Sequence, residues 1–507
     1  MKKKYLSVVG FGAILLGFSS ILSRLLGVLR DHVFANVYGN TLDAYFLAFR
    51  IPDLIYNLLV FGAMSAAFVP IYAKLLQKNK TDADDFASEI FNSIFLLLLI
   101  ISGLFFIFTP YILPFLAPGL NPADLIVSIE LTRIMLFSPI FLGLSSVLQG
   151  IQNAKKVFFG ISLAPIFYNL AIIISAYVFS GTYGLKAISY GVVLGSALHF
   201  LIQIPFIFNL NFQYKFIFRS KSKEYWNFIK LSIPRIFGLS VGQFGILIDT
   251  TIATLIGVGS LSILNFTINL QSLPYAVVAV SLSMAIFSTL SEQAGDNAKF
   301  IETIKKSNTL ILFWVIPAIL GVYLLRVPLV DFILKGGAFS QDSANLTALT
   351  LGIFIWATLP QSIIPLFARA FYALENTKIP VLSAFIAVLA NMIIGLILTQ
   401  LYSVPVWALA ISAIISNSIN ALILIFSLSK KMGTSFSQFF DFTRILKILI
   451  STFIMTASVL TIQIFSTDSI LYNLFLPGII GFAVYFAISY FLKTIPNLHA
   501  VEKNLID

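Results

Sequence analysis

Cysteine is absent from the 507 residues, and charged residues make up only 10%. Without thiols there is no disulfide, no thiolate metal site and no cysteine nucleophile. The three histidines, His32, His199 and His499, are too scattered to form a zinc cluster. A soluble domain carries about 25% charge. A soluble enzyme, a nucleic-acid-binding domain and a secreted scaffold are therefore excluded. What fills the chain is apolar: 59% is hydrophobic, and the mean hydropathy is +0.96. The net charge of +11 is read as Lys and Arg on cytoplasmic loops rather than as a nucleic-acid surface.

Hydrophobic runs from 6–30 to 470–492, at about 20 residues per span, predict an all-α polytopic membrane protein with about fourteen transmembrane helices. Lys2, Lys3 and Lys4 precede the first run, which has no small-residue cleavage site and reads as an uncleaved helix. Loops on the side of the N-terminus hold 22 of the 32 basic residues, and the opposite set holds Arg30, Lys186, Arg326 and Lys335. This asymmetry places both termini in the cytoplasm. Six basic residues fall in neither set, among them Arg24, Arg50, Arg133 and Arg235.

The chain also repeats itself. Pro52, Pro139, Asn153, Lys155 and Asn169 recur as Pro274, Pro360, Asn376, Lys378 and Asn391, each 221 to 223 residues later. Six spans separate equivalent positions, so the halves share one orientation. The expected organisation is an N-lobe over 1–220, a C-lobe over 221–435, and two appended helices with a tail over 436–507. Parallel repeats with a site at their interface are a transporter architecture.

Charge inside a span costs at least about 2.5 kcal/mol and normally faces protein or a watery cavity. Arg24 and Arg30 of the segment Ser23–Asp31 would meet in an anion-binding cavity if their helix breaks near Gly27, since six residues turn an ideal helix by about 240°. Asp43 and Arg50 are seven apart and lie on one helix face. Pro52 and Gly62 predict that this helix bends. Asp31 and Asp53 are the acidic partners expected for gating or ion pairs. Arg235 follows Pro234 at the start of the second lobe. Asp249 lies deep in a span with no basic residue near it in sequence. It reads as protonated or as part of a Na⁺ site completed by Thr250, Thr251 and Asn391.

Several stretches resemble the MurJ (MviN) family of lipid II flippases, within the MOP exporter group. They are Ser23–Asp31, Asp43–Asp53, Gly62–Pro70 (GAMSAAFVP), Ala117–Leu120, Gln149–Pro165, Pro234–Leu239, Asn265–Pro274 and Ala368–Pro380 (ARAFYALENTKIP). The resemblance implies alternating access by two lobes, carrying the undecaprenyl-diphosphate-linked peptidoglycan precursor lipid II to the outer leaflet. It implies that Arg24, Arg30 and Asp43 face the substrate cavity, and that the appended helices form a lipid-tail groove.

Tyr56 and Asn269 stand where better-known members carry further cavity arginines, which leaves Arg50 or Arg235 to supply the missing charge. The alternative substrate is another polyprenyl-diphosphate glycan, such as an O-antigen or teichoic precursor. A multidrug cation antiporter would want carboxylates in place of these arginines. A membrane glycosyltransferase would need an acid–base or metal-binding pair; the outer loops show none. No cofactor is expected. The sequence holds no ATP-binding loop, so a Na⁺ or H⁺ gradient or the membrane potential is the expected drive. The expected partners are the lipid substrate and membrane lipids, with no nucleic acid, around a monomer.

Overall fold

The computed structural model describes all residues except 1, 62, 63, 219–221, 466, 468 and 496–507. The described chain is nearly all helical. In hydrocarbon no water satisfies an open N–H or C=O, so an apolar chain must close its hydrogen bonds within each helix.

By contacts the chain forms two compact units: Met1–Ser262 with Gly337–Phe339, and Ile263–Gly336 with Ser340–Asp507. The first holds α1 (Lys2–Tyr38), α2 (Asp43–Tyr56), α3 (Val69–Lys78), α4 (Lys80–Leu116), α5 (Pro122–Met135) and α6 (Ser138–Ala154). It continues with α7 (Phe159–Val178), α8 (Ser180–Tyr183), α9 (Lys186–Leu201), α10 (Ile204–Asn209) and α11 (Lys223–Ile256). After α12 (Ser260–Pro274), which starts in the first unit, come α13 (Ser281–Glu292), α14 (Asn297–Ile333), α15 (Gln341–Phe354) and α16 (Thr358–Ala373). The last four are α17 (Lys378–Leu396), α18 (Trp407–Met432), α19 (Phe442–Gln463) and α20 (Ile470–Phe491).

Element order shows the repeat. α4 and α14 are both 37 residues long, and α5–α6 matches α15–α16. The segment after Pro52 turns π-helical over Asn57–Phe61 and Met64–Phe68, and the segment after Pro274 does so over Tyr275–Val280. The bend expected from Pro52 and Gly62 is thus a change of helix type after Pro52, while Gly62 itself lies outside the described residues. Polar N-caps start corresponding helices: Asn79 and Asp296 accept from Thr81 N–H and Lys299 N–H, and Asn121 and Ser340 from Asp124 N–H and Ser343 N–H. The contact boundary falls after α11, whereas the repeat begins again with α11; the two divisions describe different things.

Among the described residues, ten helices are long and apolar enough to cross a membrane, or twelve if each of two bent pairs is one span. The pairs bend by 42° between Ile236 and Ser240, just after Pro234, and by 49° between Pro274 and Val278. Length and hydropathy therefore do not reach the expected fourteen. The first two expected runs form α1 and the mixed α/π segment from α2 to α3.

Proline inside a helix removes the donor for the carbonyl four residues earlier. Four such carbonyls are recovered by side chains of neighbouring helices. Thr132 Oγ1 donates to Ala48 O, opposite Pro52, at 3.2 Å, and Arg133 Nε to Phe106 O, opposite Pro110, at 3.1 Å. Tyr485 Oη donates to Phe313 O, opposite Pro317, at 2.6 Å, and Gln463 Nε2 to Leu324 O, opposite Pro328, at 3.1 Å. The first two tie α5 to α2 and α4; the last two tie α20 and α19 to α14. The second unit's core packs Phe300, Phe367, Phe371 and Phe439 with Ile and Leu side chains, while Phe313, Ile448, Met455 and Tyr485 seal α19 and α20 against α14.

Candidate functional site

Arg30 is set on α1, half-buried. Its Nε and Nη2 donate to Asp31 Oδ1 at 3.3 and 3.0 Å, and its guanidinium lies 5.7 Å from the centre of the Phe34 ring. Asp31 itself is buried. The pairing therefore lets the Arg30 guanidinium stay ionised within the membrane at reduced cost, the two charges cancelling.

Arg30 borders a cavity of about 310 Å³ inside the first unit, with Ser23, Asp53, Tyr56, Tyr168 and His199 among its other walls. Pro52 also lines it, so the wall bends where α2 gives way to π-helix. Tyr45 and Tyr168 lie within electrostatic reach of Arg30, and Tyr56 within that of Asp53. Across the wall, Asn169 Nδ2 donates to Ser23 Oγ at 3.2 Å.

Behind His199 is a buried polar network that sequence reasoning missed. Ser145 Oγ lies 2.7 Å from His199 Nδ1; Gln203 Nε2 donates to His199 O at 2.8 Å and also to Ser145 Oγ. Gln152 Nε2 donates to Gln203 Oε1 at 2.9 Å. The network positions the imidazole at the cavity from two helices, α6 and α9, and from the turn after α9. The signal available in sequence was the density of Gln, Ser and His in otherwise apolar runs.

The other expected residues separate. α1 is continuous through Gly27, so the expected break is absent. On an uninterrupted helix the two arginines point about 120° apart; Arg24 is half-buried, and Arg30 alone of the pair lines the cavity. Asp43 is buried, accepting from Gly259 N–H at 2.6 Å, from Ser262 N–H at 2.7 Å and from the Ser262 hydroxyl. It serves as the cap of α12. Arg235 is exposed on α11, next to its bend.

Arg50 interacts electrostatically with Asp53 and with Asp249. Asp249, which has no basic neighbour in sequence, thus has one in space. Thr250 Oγ1 donates to Ile246 O at 2.8 Å, and Thr251 Oγ1 to Leu116 O at 2.8 Å. Asn391, in the second unit, accepts on Oδ1 from Ser412 Oγ at 2.9 Å. Asn269 lies half-buried on α12.

The family model for "Lipid II flippase MurJ" matches residues 34–481. The chain belongs to the MurJ family. A probable lipid II flippase MurJ of Buchnera aphidicola is 28% identical over 447 residues, covering 86% of each chain. A probable lipid II flippase MurJ of Aquifex aeolicus is 25% identical, covering 95% of this chain and 93% of its own. Among solved structures, a lipid II flippase MurJ in an inward closed conformation aligns with a TM-score of 0.79 at 28% identity, over 95% of this chain and 99% of that one. An inward-facing multidrug MATE transporter of the MOP superfamily aligns at 0.70 with 12% identity, a likeness of fold. MurJ membership and the membrane-length helices make this a multi-pass protein of the bacterial inner membrane, a transporter rather than an enzyme.

Proposed function

We propose that this MurJ family member flips lipid II from the cytoplasmic to the outer leaflet by alternating access, with its N- and C-termini in the cytoplasm. The observation that carries this reading is Arg30 on the wall of a membrane-embedded cavity. A diphosphate cannot cross hydrocarbon unpaired. A guanidinium offers five donors in a fork that matches phosphate oxygens, and Asp31 keeps that fork oriented until a phosphate joins or displaces it. The polyprenyl tail stays in lipid throughout. The lobes of the reading are 1–220 and 221–435, with 436–507 appended, and the protein acts as a monomer.

The drive is an ion gradient or the membrane potential, which supplies about 2.3 kcal/mol per charge per 100 mV. Asp249 is the carboxylate that would take H⁺, or Na⁺ with Thr250. Arg50 in its electrostatic reach lets the carboxylate exchange one positive partner for another. Complementation of a bacterium depleted of its own lipid II flippase tests the function. Restored growth supports lipid II as substrate; failure at good membrane expression shifts it to another polyprenyl-diphosphate glycan, with Tyr56 in the cavity wall as the first residue to revert.

A further inference from the structure

Arg133 occupies an unusual place. It is half-buried on the membrane-embedded α5, with its guanidinium 5.0 Å from the centre of the Phe106 ring. Its Nε–H goes to the Phe106 carbonyl freed by Pro110, while its terminal nitrogens make no hydrogen bond among the described residues. One turn away on the same helix, Glu130 pairs with Lys186 at 2.8 Å, both side chains about half exposed. An exposed ion pair of this kind belongs at the membrane–water interface. Arg133 therefore sits about 4.5 Å below that interface, at 1.5 Å per residue, within reach of lipid phosphates.

Directly deeper lies an apolar groove of about 310 Å³ between α4 and α6. Leu99, Gly103 and Phe106 form one wall, and Leu136, Phe137 and Ile140 the other. Its far end at Ile140 lies about 10 Å deeper in the leaflet than Arg133. Gly103 leaves space there: a Cβ built on it meets nothing within 4 Å. Ser102 also lines the groove, and its buried hydroxyl makes no hydrogen bond among the described residues. It lies about 6 Å deeper along α4 than Phe106.

We infer that this groove is a binding site for one anionic phospholipid, with the phosphodiester on Arg133, an ester carbonyl on Ser102 and the acyl chain against Gly103. The order of features from the interface inward is cation, single hydroxyl donor, apolar channel. That order matches a diacyl phospholipid. An isoprenyl phosphate has a phosphate and a chain but no ester carbonyl for Ser102, and free phosphate has no chain for the groove. The site is separate from the cavity that Arg30 lines and does not depend on the transported substrate.

Native mass spectrometry of the full-length protein, equilibrated with phosphatidylglycerol, phosphatidylethanolamine and undecaprenyl phosphate, tests the assignment. The wild type is expected to retain one phosphatidylglycerol at least tenfold more than Arg133→Gln or Gly103→Leu. Gly103→Leu fills open space and removes no hydrogen bond, so it reports on the groove even if Arg133→Gln fails to fold. Equal retention in the wild type and Gly103→Leu overturns the site. Preferential retention of undecaprenyl phosphate, or of phosphatidylethanolamine, overturns the choice of occupant.

Discussion

The Tyr485 phenol donates to the main-chain carbonyl of Phe313 at 2.6 Å, the carbonyl that Pro317 leaves without its helical donor. A buried acceptor without a partner costs about 1–3 kcal/mol, so Tyr485→Phe should destabilise the protein by about that much. In a Pro317→Ala background the helix supplies its own N–H, and the cost of Tyr485→Phe should shrink. Thermal unfolding of the four proteins of this double-mutant cycle checks it. Equal costs in both backgrounds would mean that the phenol matters only for packing.

The Asp43 carboxylate caps α12 through Gly259 and Ser262. Asp43→Ala should lose about 2 kcal/mol of stability, the upper end of an N-cap effect, and Asp43→Asn distinctly less, because an amide oxygen still accepts. Denaturation midpoints of purified protein give the comparison. A transport defect in Asp43→Asn at unchanged stability would restore Asp43 to the substrate path.

Arg50 lies in the field of both Asp53 and Asp249. Removing one of two half-buried opposite charges leaves the other uncompensated, which is worse than removing both. Arg50→Gln and Asp249→Asn should therefore each destabilise more than additivity allows in the double variant, with a coupling of about 0.5–3 kcal/mol. Additive effects would separate the two residues and leave Asp249 to H⁺ or Na⁺ alone.

Asp296 caps α14 from the loop before it, and Lys299 N–H donates to it at 3.1 Å, with the Lys299 ammonium at 3.2 Å. That backbone donor, followed by the ammonium, holds its carboxyl below the ordinary 3.8. A depressed carboxyl stabilises the fold fully above its unfolded value and loses that contribution as pH falls through the lower folded value. The stability difference between wild type and Asp296→Asn should stay constant from about pH 8 to 5 and shrink only below about pH 4. A difference that changes near neutrality would assign the effect to another group.

Much of this was legible in the sequence because membranes impose it. Hydropathy alone dictated helices, and the recurrence of Pro52 as Pro274 marked two matching places where the structure turns π-helical, although the sequence carried only the expectation of a bend at Pro52. Arg30 was legible because charge in a span demands a reason. Asp43 was misplaced because its cap partners lie 216 and 219 residues away, and spacing within one helix carries no trace of them. The expected meeting of Arg24 with Arg30 failed because Gly27 lowers helix propensity without breaking a helix that hydrocarbon compels. His199 escaped notice because its partners Ser145 and Gln203 are ordinary residues made special by depth.

In the proposed mechanism Arg30 holds the lipid diphosphate during transport. The direct measurement is the amount of lipid II accessible at the outer leaflet in cells that depend on this protein, compared between wild type and Arg30→Ala at matched membrane levels. Loss of a charge-assisted phosphate contact of about 1.5–3 kcal/mol predicts a drop of about tenfold or more, with Arg24→Ala affected less and Arg30→Lys intermediate. Accessibility in Arg30→Ala equal to that of the wild type would contradict the account.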